Sequence, residues 1–91
     1  MSASDARKTI EDHRATIDSI DEKIVTLLNE RAVESLAIRS LKPAAKLGLY
    51  DPKREEEIFE RVAGANNGPL FNDDLRAIYT VILKVSKEMP S

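Results

Sequence analysis

The apolar positions divide the chain into three stretches. From about Asp5 to Leu41 there is no Gly or Pro, and aliphatic residues recur at seven-residue intervals: Ile10, Ile17, Ile24 and Ile38 in one row, Ile20, Leu27 and Leu41 in another. That spacing belongs to a helix packing lengthwise against others, and it predicts one continuous helix over the whole run. Ser4 or Asp5 is expected to cap it, with residues 1–4 as a frayed tail. Lys42 falls at its end, because the ring of Pro43 disfavours helical geometry in the residue before it.

Pro43 to Tyr50 contains Gly48 and reads as a loop. Asp51-Pro52-Lys53-Arg54-Glu55 opens a second helix, with Asp51 as N-cap and Pro52 at the first helical position, where the missing amide costs nothing. Ile58, Phe59 and Val62 form its apolar face, and the run from Gly64 to Pro69 predicts a stop near Ala63. Asn72 or Asp73 is expected to cap a third helix whose core face is Leu75, Ile78, Tyr79, Ile82 and Leu83, extended by Met89. The apolar alternations fit a period of 3.6 better than 2. The expected fold class is all-α: three helices, long, short and medium, in a single domain over residues 1–91.

One position breaks the long stripe. Seven residues after Ile24 and seven before Ile38 stands Arg31, a permanent cation where an aliphatic is due. Taken alone it reads equally as a snorkelling side chain or an interhelical partner of Glu34. Lys42, eleven residues on, projects within roughly 20° of Arg31 and about 16 Å along the axis, so the two share a face. Arg14 lies about 25 Å the other way and roughly 100° round, beyond the reach of the same small site. The helix, about 55 Å long, exceeds the diameter of a domain of this size. It must find a partner, most simply a second copy, and Arg14 then enters a site built mainly by that copy.

Composition narrows the chemistry. Ninety-one residues make a marginal core unless the chain dimerises. Fourteen basic against 16 acidic residues, a formal charge of −2, give no footprint for nucleic acid. Cysteine is absent, which excludes disulfides and thiolate metal sites. His13 is the lone histidine and reads as a polar helix residue rather than a metal ligand. The start of the chain has no apolar signal segment and no stretch is long enough to span a bilayer, so no membrane partner and a cytoplasmic location are expected.

Arg14, Arg31, Lys42 and Arg54 are four cations that a dimer can focus on one cavity, with Asp51, Glu55 and Ser86 as hydrogen-bonding partners. Guanidinium forks suit a small dianion with two carboxylates. Without a Cys or a Ser/His pair, nucleophilic catalysis is not expected, so any catalysis must come from orientation and fixed charge.

These residues resemble a family, the all-helical AroQ-class chorismate mutases, and in particular the mutase domains fused to prephenate dehydratase. The resemblance covers about residues 8–89. It rests on Arg14 through Ile17-Asp18-Ser19-Ile20-Asp21, on Leu27-Leu28-Asn29-Glu30-Arg31, on Lys42, and on Tyr50-Asp51-Pro52-Lys53-Arg54-Glu55-Glu56, with Asn67-Gly68-Pro69-Leu70 as connector. It implies an intertwined helical homodimer that converts chorismate to prephenate by a Claisen rearrangement, in phenylalanine and tyrosine biosynthesis, with no cofactor and no covalent intermediate. By position, Arg31 and Arg14 of the other subunit grip the substrate carboxylates. Arg54 orients its neighbours, and Lys42 donates to the ether oxygen and reaches a carboxylate. Glu55 and the backbone at Asp51 hold the ring hydroxyl, Ser86 lies near a carboxylate, and Ile38 and Leu83 wall the pocket.

One departure is plain. Four residues after the serine the family places a Gln or Glu that donates to the ether oxygen, and this chain has Pro90. Loss of such a donor costs about 3 to 4 kcal/mol, a hundredfold or more in rate. Unless Glu88, Ser91 or a water substitutes, a weaker mutase is expected, or one that needs a partner enzyme of the shikimate pathway to order its C-terminus. The rivals are an isochorismate-pyruvate lyase, which shares fold and pocket, and a regulatory module that binds chorismate without turning it over.

Overall fold

A computed structural model describes residues 1–90, and among them it contains three helices and no strand: α1, Ala3–Leu41; α2, Pro52–Ala65; and α3, Asn72–Glu88. Ser91, one of the residues considered as a substitute donor, lies outside the described residues. Contacts group the chain into two compact units, Met1–Glu34 and Ser35–Ser91.

The first unit is helical from Ala3 onward. Its start corrects the expectation of a cap at Ser4 or Asp5 after a frayed tail. The Ser2 hydroxyl accepts the Asp5 amide at 3.1 Å and donates to the Asp5 carboxylate at 2.8 Å. The Ser2 hydroxyl thus satisfies one orphan amide, its own bond to the carboxylate orients it, and the acid complements the positive end of the helix. Further along, Thr9, Thr16 and Thr26 return their hydroxyls to the carbonyl four residues back, as Ser and Thr do inside helices. The aliphatic row Ile10, Ile17, Ile20, Ile24 and Leu27 remains between 46% and 61% exposed. An apolar stripe of that extent marks a surface made to be covered.

In the second unit α1 finishes at Leu41, as the proline predicts. A turn over 42–46 follows, in which the Leu47 amide donates to the Lys42 carbonyl at 2.9 Å. Asp51 caps α2 as expected, its carboxylate accepting the Arg54 amide at 3.0 Å, with Pro52 opening the helix. The helix then runs through Gly64 to Ala65, two residues past the expected stop. A helical glycine costs about 1 kcal/mol, too little to end a helix whose last turn is closed by the Asn66 amide on the Ala63 carbonyl at 3.2 Å. The cap of α3 also differs. Phe71 is the N-cap residue, and its amide donates to the Asp74 carboxylate at 2.9 Å.

Asn72 is used elsewhere. Its Oδ1 accepts from the Asn66 side chain at 2.8 Å, and that same amide group reaches the Leu70 carbonyl at 2.8 Å. Asn66 Oδ1 in turn accepts the Gly68 amide at 2.9 Å, across a glycine in the left-handed region at φ +74°. One side chain thus stitches the connector between α2 and α3.

These two helices pack on each other. Arg76 of α3 lies over the Phe59 ring, 4.1 Å from its centroid, and meets Glu56 at 3.3 Å. Of the expected core face, Leu75, Tyr79 and Ile82 are half-buried and Leu83 is buried, whereas Ile78 is 47% exposed. Met89 is half-buried but follows the helix as its C-cap. Leu83 is the one buried apolar side chain among the described residues, and it is still 7% exposed, which leaves the chain short of a core of its own.

Candidate functional site

The expected site residues divide between the two units. In the first, Arg14 pairs with Glu11 one turn away, at 2.7 Å, and both side chains are about two-thirds exposed. An exposed i,i+3 pair of this kind contributes little to stability, so the Arg14 guanidinium is available to a stronger partner. Arg31 is half-buried.

In the second unit Lys42 stands one residue beyond the end of α1, and its ammonium donates to the Leu49 carbonyl at 2.9 Å. The loop that precedes α2 therefore holds this lysine by a single neutral acceptor, which an anion readily displaces. Two residues after Leu49, Asp51 spends its side chain on the cap of α2, which leaves its backbone rather than its carboxylate for any further contact. Arg54 approaches Glu57 at 3.6 Å from the exposed side of the first turn. Glu55, from the same turn, pairs with Lys87 of α3.

Glu55 is the least exposed of the paired carboxylates, at 23%. Lys87, in the last turn of α3, donates to Glu55 Oε1 at 3.2 Å and stands 2.8 Å from Oε2. The second approach is an ion-pair contact without hydrogen-bond alignment, for Oε2 is buried and accepts no hydrogen bond among the described residues. Oε2 is thus ion-paired, and a carboxylate oxygen held on one side by an ammonium still accepts a further donor on the other. The Lys87 ammonium also lies 5.1 Å from the centroid of the Tyr50 ring. A groove of about 300 Å³ between α2 and α3 is lined by Glu55, Phe59, Arg76, Leu83 and Lys87, together with Thr80 and Lys84. Leu83 and Glu55, singled out in the sequence, do meet here.

Ser86 sits at the far end of the same helix, half-buried. Its carbonyl and that of Met89 both accept from the guanidinium of Arg39, which reaches across from the last turn of α1. Arg39 thereby satisfies two orphan carbonyls at the end of α3 with a planar fork, and its charge complements the negative end of that helix. Pro90 follows at once, so the clamp is the last tie on the described chain. Ile38, the other expected wall residue, is 56% exposed.

Neither Arg39 nor Lys87 was expected at the site. Arg39 lies three residues before Lys42, and Lys87 adjoins Ser86, but their partners are 47 to 50 and 32 residues away in sequence. No local pattern reports such pairings. Among the described residues there is no cluster of His, Cys, Asp and Glu suited to a metal ion, and no helix is long and apolar enough to cross a membrane.

Comparison with known proteins adds the following. The family model described as chorismate mutase type II matches residues 13–90. The bifunctional chorismate mutase/prephenate dehydratase of Neisseria gonorrhoeae is 37% identical over 71 residues, 78% of this chain and 19% of that protein. The protein of the same description from Stutzerimonas stutzeri is 32% identical over 88 residues, 91% of this chain and 23% of its own length. The chain thus spans about a fifth of the length of these curated relatives. Among solved structures, chorismate mutase (form II) from Thermus thermophilus superposes with a TM-score of 0.85 at 32% identity, over 89% of this chain and 92% of that one. Chorismate mutase from Helicobacter pylori in complex with prephenate gives a TM-score of 0.80 at 32% identity, over 89% and 88% of the two chains.

Proposed function

The chain belongs to the type II chorismate mutase family, and from that premise we propose that it converts chorismate to prephenate as a homodimer, with residues 1–91 forming one mutase domain. The observation that carries the proposal is the family match over residues 13–90, which takes in every expected site residue from Arg14 to Ser86. Superposition at 32% identity on a mutase solved with prephenate supports it.

The chemistry needs little beyond shape and charge. In the Claisen rearrangement the ether C–O bond breaks as a C–C bond forms, with no proton or electron taken up from outside. The flexible enolpyruvyl arm must be held folded over the ring, and a pocket that binds both carboxylates supplies that orientation. Arg31 and the partner copy's Arg14 take the carboxylates, with Ser86 beside one of them. Lys42 exchanges the Leu49 carbonyl for the ether oxygen, where negative charge grows in the transition state and a fixed cation has the most effect. The ring hydroxyl donates to Glu55, whose buried Oε2 has acceptor capacity to spare, and meets the backbone at Asp51. Arg54 supports the first turn that presents them, while Leu83 and Ile38 supply apolar wall.

The homodimer rests on separate support. An exposed aliphatic row along α1 and, among the described residues, a single buried apolar side chain describe a chain that completes its core with a copy of itself. An intertwined arrangement brings Arg14 of one chain to the site of the other.

The test is the loss of chorismate absorbance on adding the purified protein. Wild type should consume chorismate and form prephenate, and Arg31→Ala should abolish turnover. Protein that leaves chorismate unchanged while binding it would turn the reading to a regulatory module, the rival kept open by Pro90. Release of salicylate from isochorismate in preference to mutase turnover would turn it to the lyase.

A further inference from the structure

The ion pair between Glu55 and Lys87 joins the first turn of α2 to the last turn of α3, and nothing in the reaction as derived above uses the lysine. Three observations converge on it. Lys87 touches both carboxylate oxygens of Glu55, at 3.2 and 2.8 Å. The pair is asymmetric in exposure, 51% for Lys87 and 23% for Glu55, so the lysine forms the rim and the carboxylate the interior of the groove. The ammonium is also placed against the Tyr50 ring, which limits the rotamers a long side chain can sample.

We infer that Lys87 is a positioning residue for the mutase reaction, fixing the carboxylate of Glu55 as the acceptor of the substrate ring hydroxyl. The inference rests on the function proposed above. A glutamate has three side-chain torsions, and a carboxylate that must meet one hydroxyl in one direction gains from a cation that pins it before substrate arrives. Lys87 holds Oε1 by an aligned hydrogen bond and Oε2 by the shorter ion-pair contact, and each carboxylate oxygen keeps room for one further donor. The Glu55 side chain therefore arrives oriented, with the acceptor needed by the hydroxyl already desolvated.

The kinetic signature follows from where charge moves. No charge develops on the ring hydroxyl as the ether bond breaks, so a contact to it is equally strong in bound substrate and transition state. Loss of such uniform binding raises KM and leaves kcat nearly unchanged. A lysine that merely tied the end of α3 in place would, on removal, disturb Ser86 as well and lower kcat.

The experiment is steady-state mutase kinetics on wild type, Lys87→Met, Lys87→Gln, Lys87→Arg, Glu55→Gln and the double variant Glu55→Gln/Lys87→Met, each checked for wild-type helix content by circular dichroism. Lys87→Met should raise KM about tenfold with kcat within about twofold, the loss expected for one charge-assisted contact. Lys87→Arg should recover most of that loss, and Lys87→Gln carries the test should the methionine variant fold poorly. In the Glu55→Gln background the lysine substitution should add nothing, because its effect passes through the carboxylate. An unchanged KM in Lys87→Met, a fall in kcat instead, or a full additional loss in the double variant would overturn the inference while leaving the mutase assignment standing. Wild-type protein without turnover would remove the assignment itself, and this role with it.

Discussion

Replacing both Ile17 and Ile24 by alanine should dissociate the dimer. The two residues are 54% and 46% exposed on the chain, so about half of each side chain is left to be covered by a second copy. Fully burying an isoleucine stabilises by about 1.5–3 kcal/mol, so the uncovered half is worth about 0.75–1.5 kcal/mol per residue. Two residues on each of two copies bring this to about 3–6 kcal/mol, on the order of 10²- to 10⁴-fold in the dissociation constant. Alanine has a higher helix propensity than isoleucine, so α1 itself should be no less helical, and the loss can be assigned to association. Sedimentation velocity over a range from nanomolar to high micromolar protein reads the constant directly. Mutase turnover should fall in parallel, because a lone chain lacks the partner's Arg14. Wild type that sediments as a monomer at micromolar concentration would refute the reasoning. A double variant that stays dimeric with unchanged affinity would do the same for the surface chosen.

Arg39→Ala should lower stability by about 2 kcal/mol in denaturant titrations at fixed protein concentration, for the loss of two carbonyl contacts and a favourable charge at the end of α3, and a change under about 0.5 kcal/mol would show the clamp to be incidental. Leu83→Ala should cost about 2–5 kcal/mol by the same measurement, as for a leucine in a closed core, and a negligible cost would mean the site refills or was never packed. Pro90→Gln returns a side-chain donor to the position four after Ser86 and should raise kcat by about tenfold or more, whereas an unchanged or lower kcat would count against the missing-donor explanation.

The helices were legible because each is announced by periodic aliphatics and bounded by Pro, Gly or Asn. Pro43 ended α1 within a residue, and Asp51-Pro52 fixed the start of α2 because capping chemistry is local. Errors fell where two local signals compete. Ser2 and Ser4 both offer a hydroxyl, and only the acid three residues after Ser2 decides between them. Gly64 reads as a stop but lies inside a helix closed by Asn66, and Asn72 reads as a cap but its side chain is drawn into the connector. Ile78 keeps the periodicity of a core residue yet remains exposed, since a pattern names a face without naming what covers it. The site was legible as residue types at spacings, through resemblance more than through first principles. Arg39 and Lys87 escaped because their partners lie dozens of residues away, and only the packing of unit 2 brings them together.

The connector stitched by Asn66 has a kinetic consequence. With its amide bonded at once to Leu70, Asn72 and Gly68, the segment between α2 and α3 closes on contacts no more than six residues apart. Contacts this local need no second chain, so the connector and the two helices it joins can form within one copy. Renaturation should therefore include a step set by encounter, whose rate rises as more polypeptide is present in the tube.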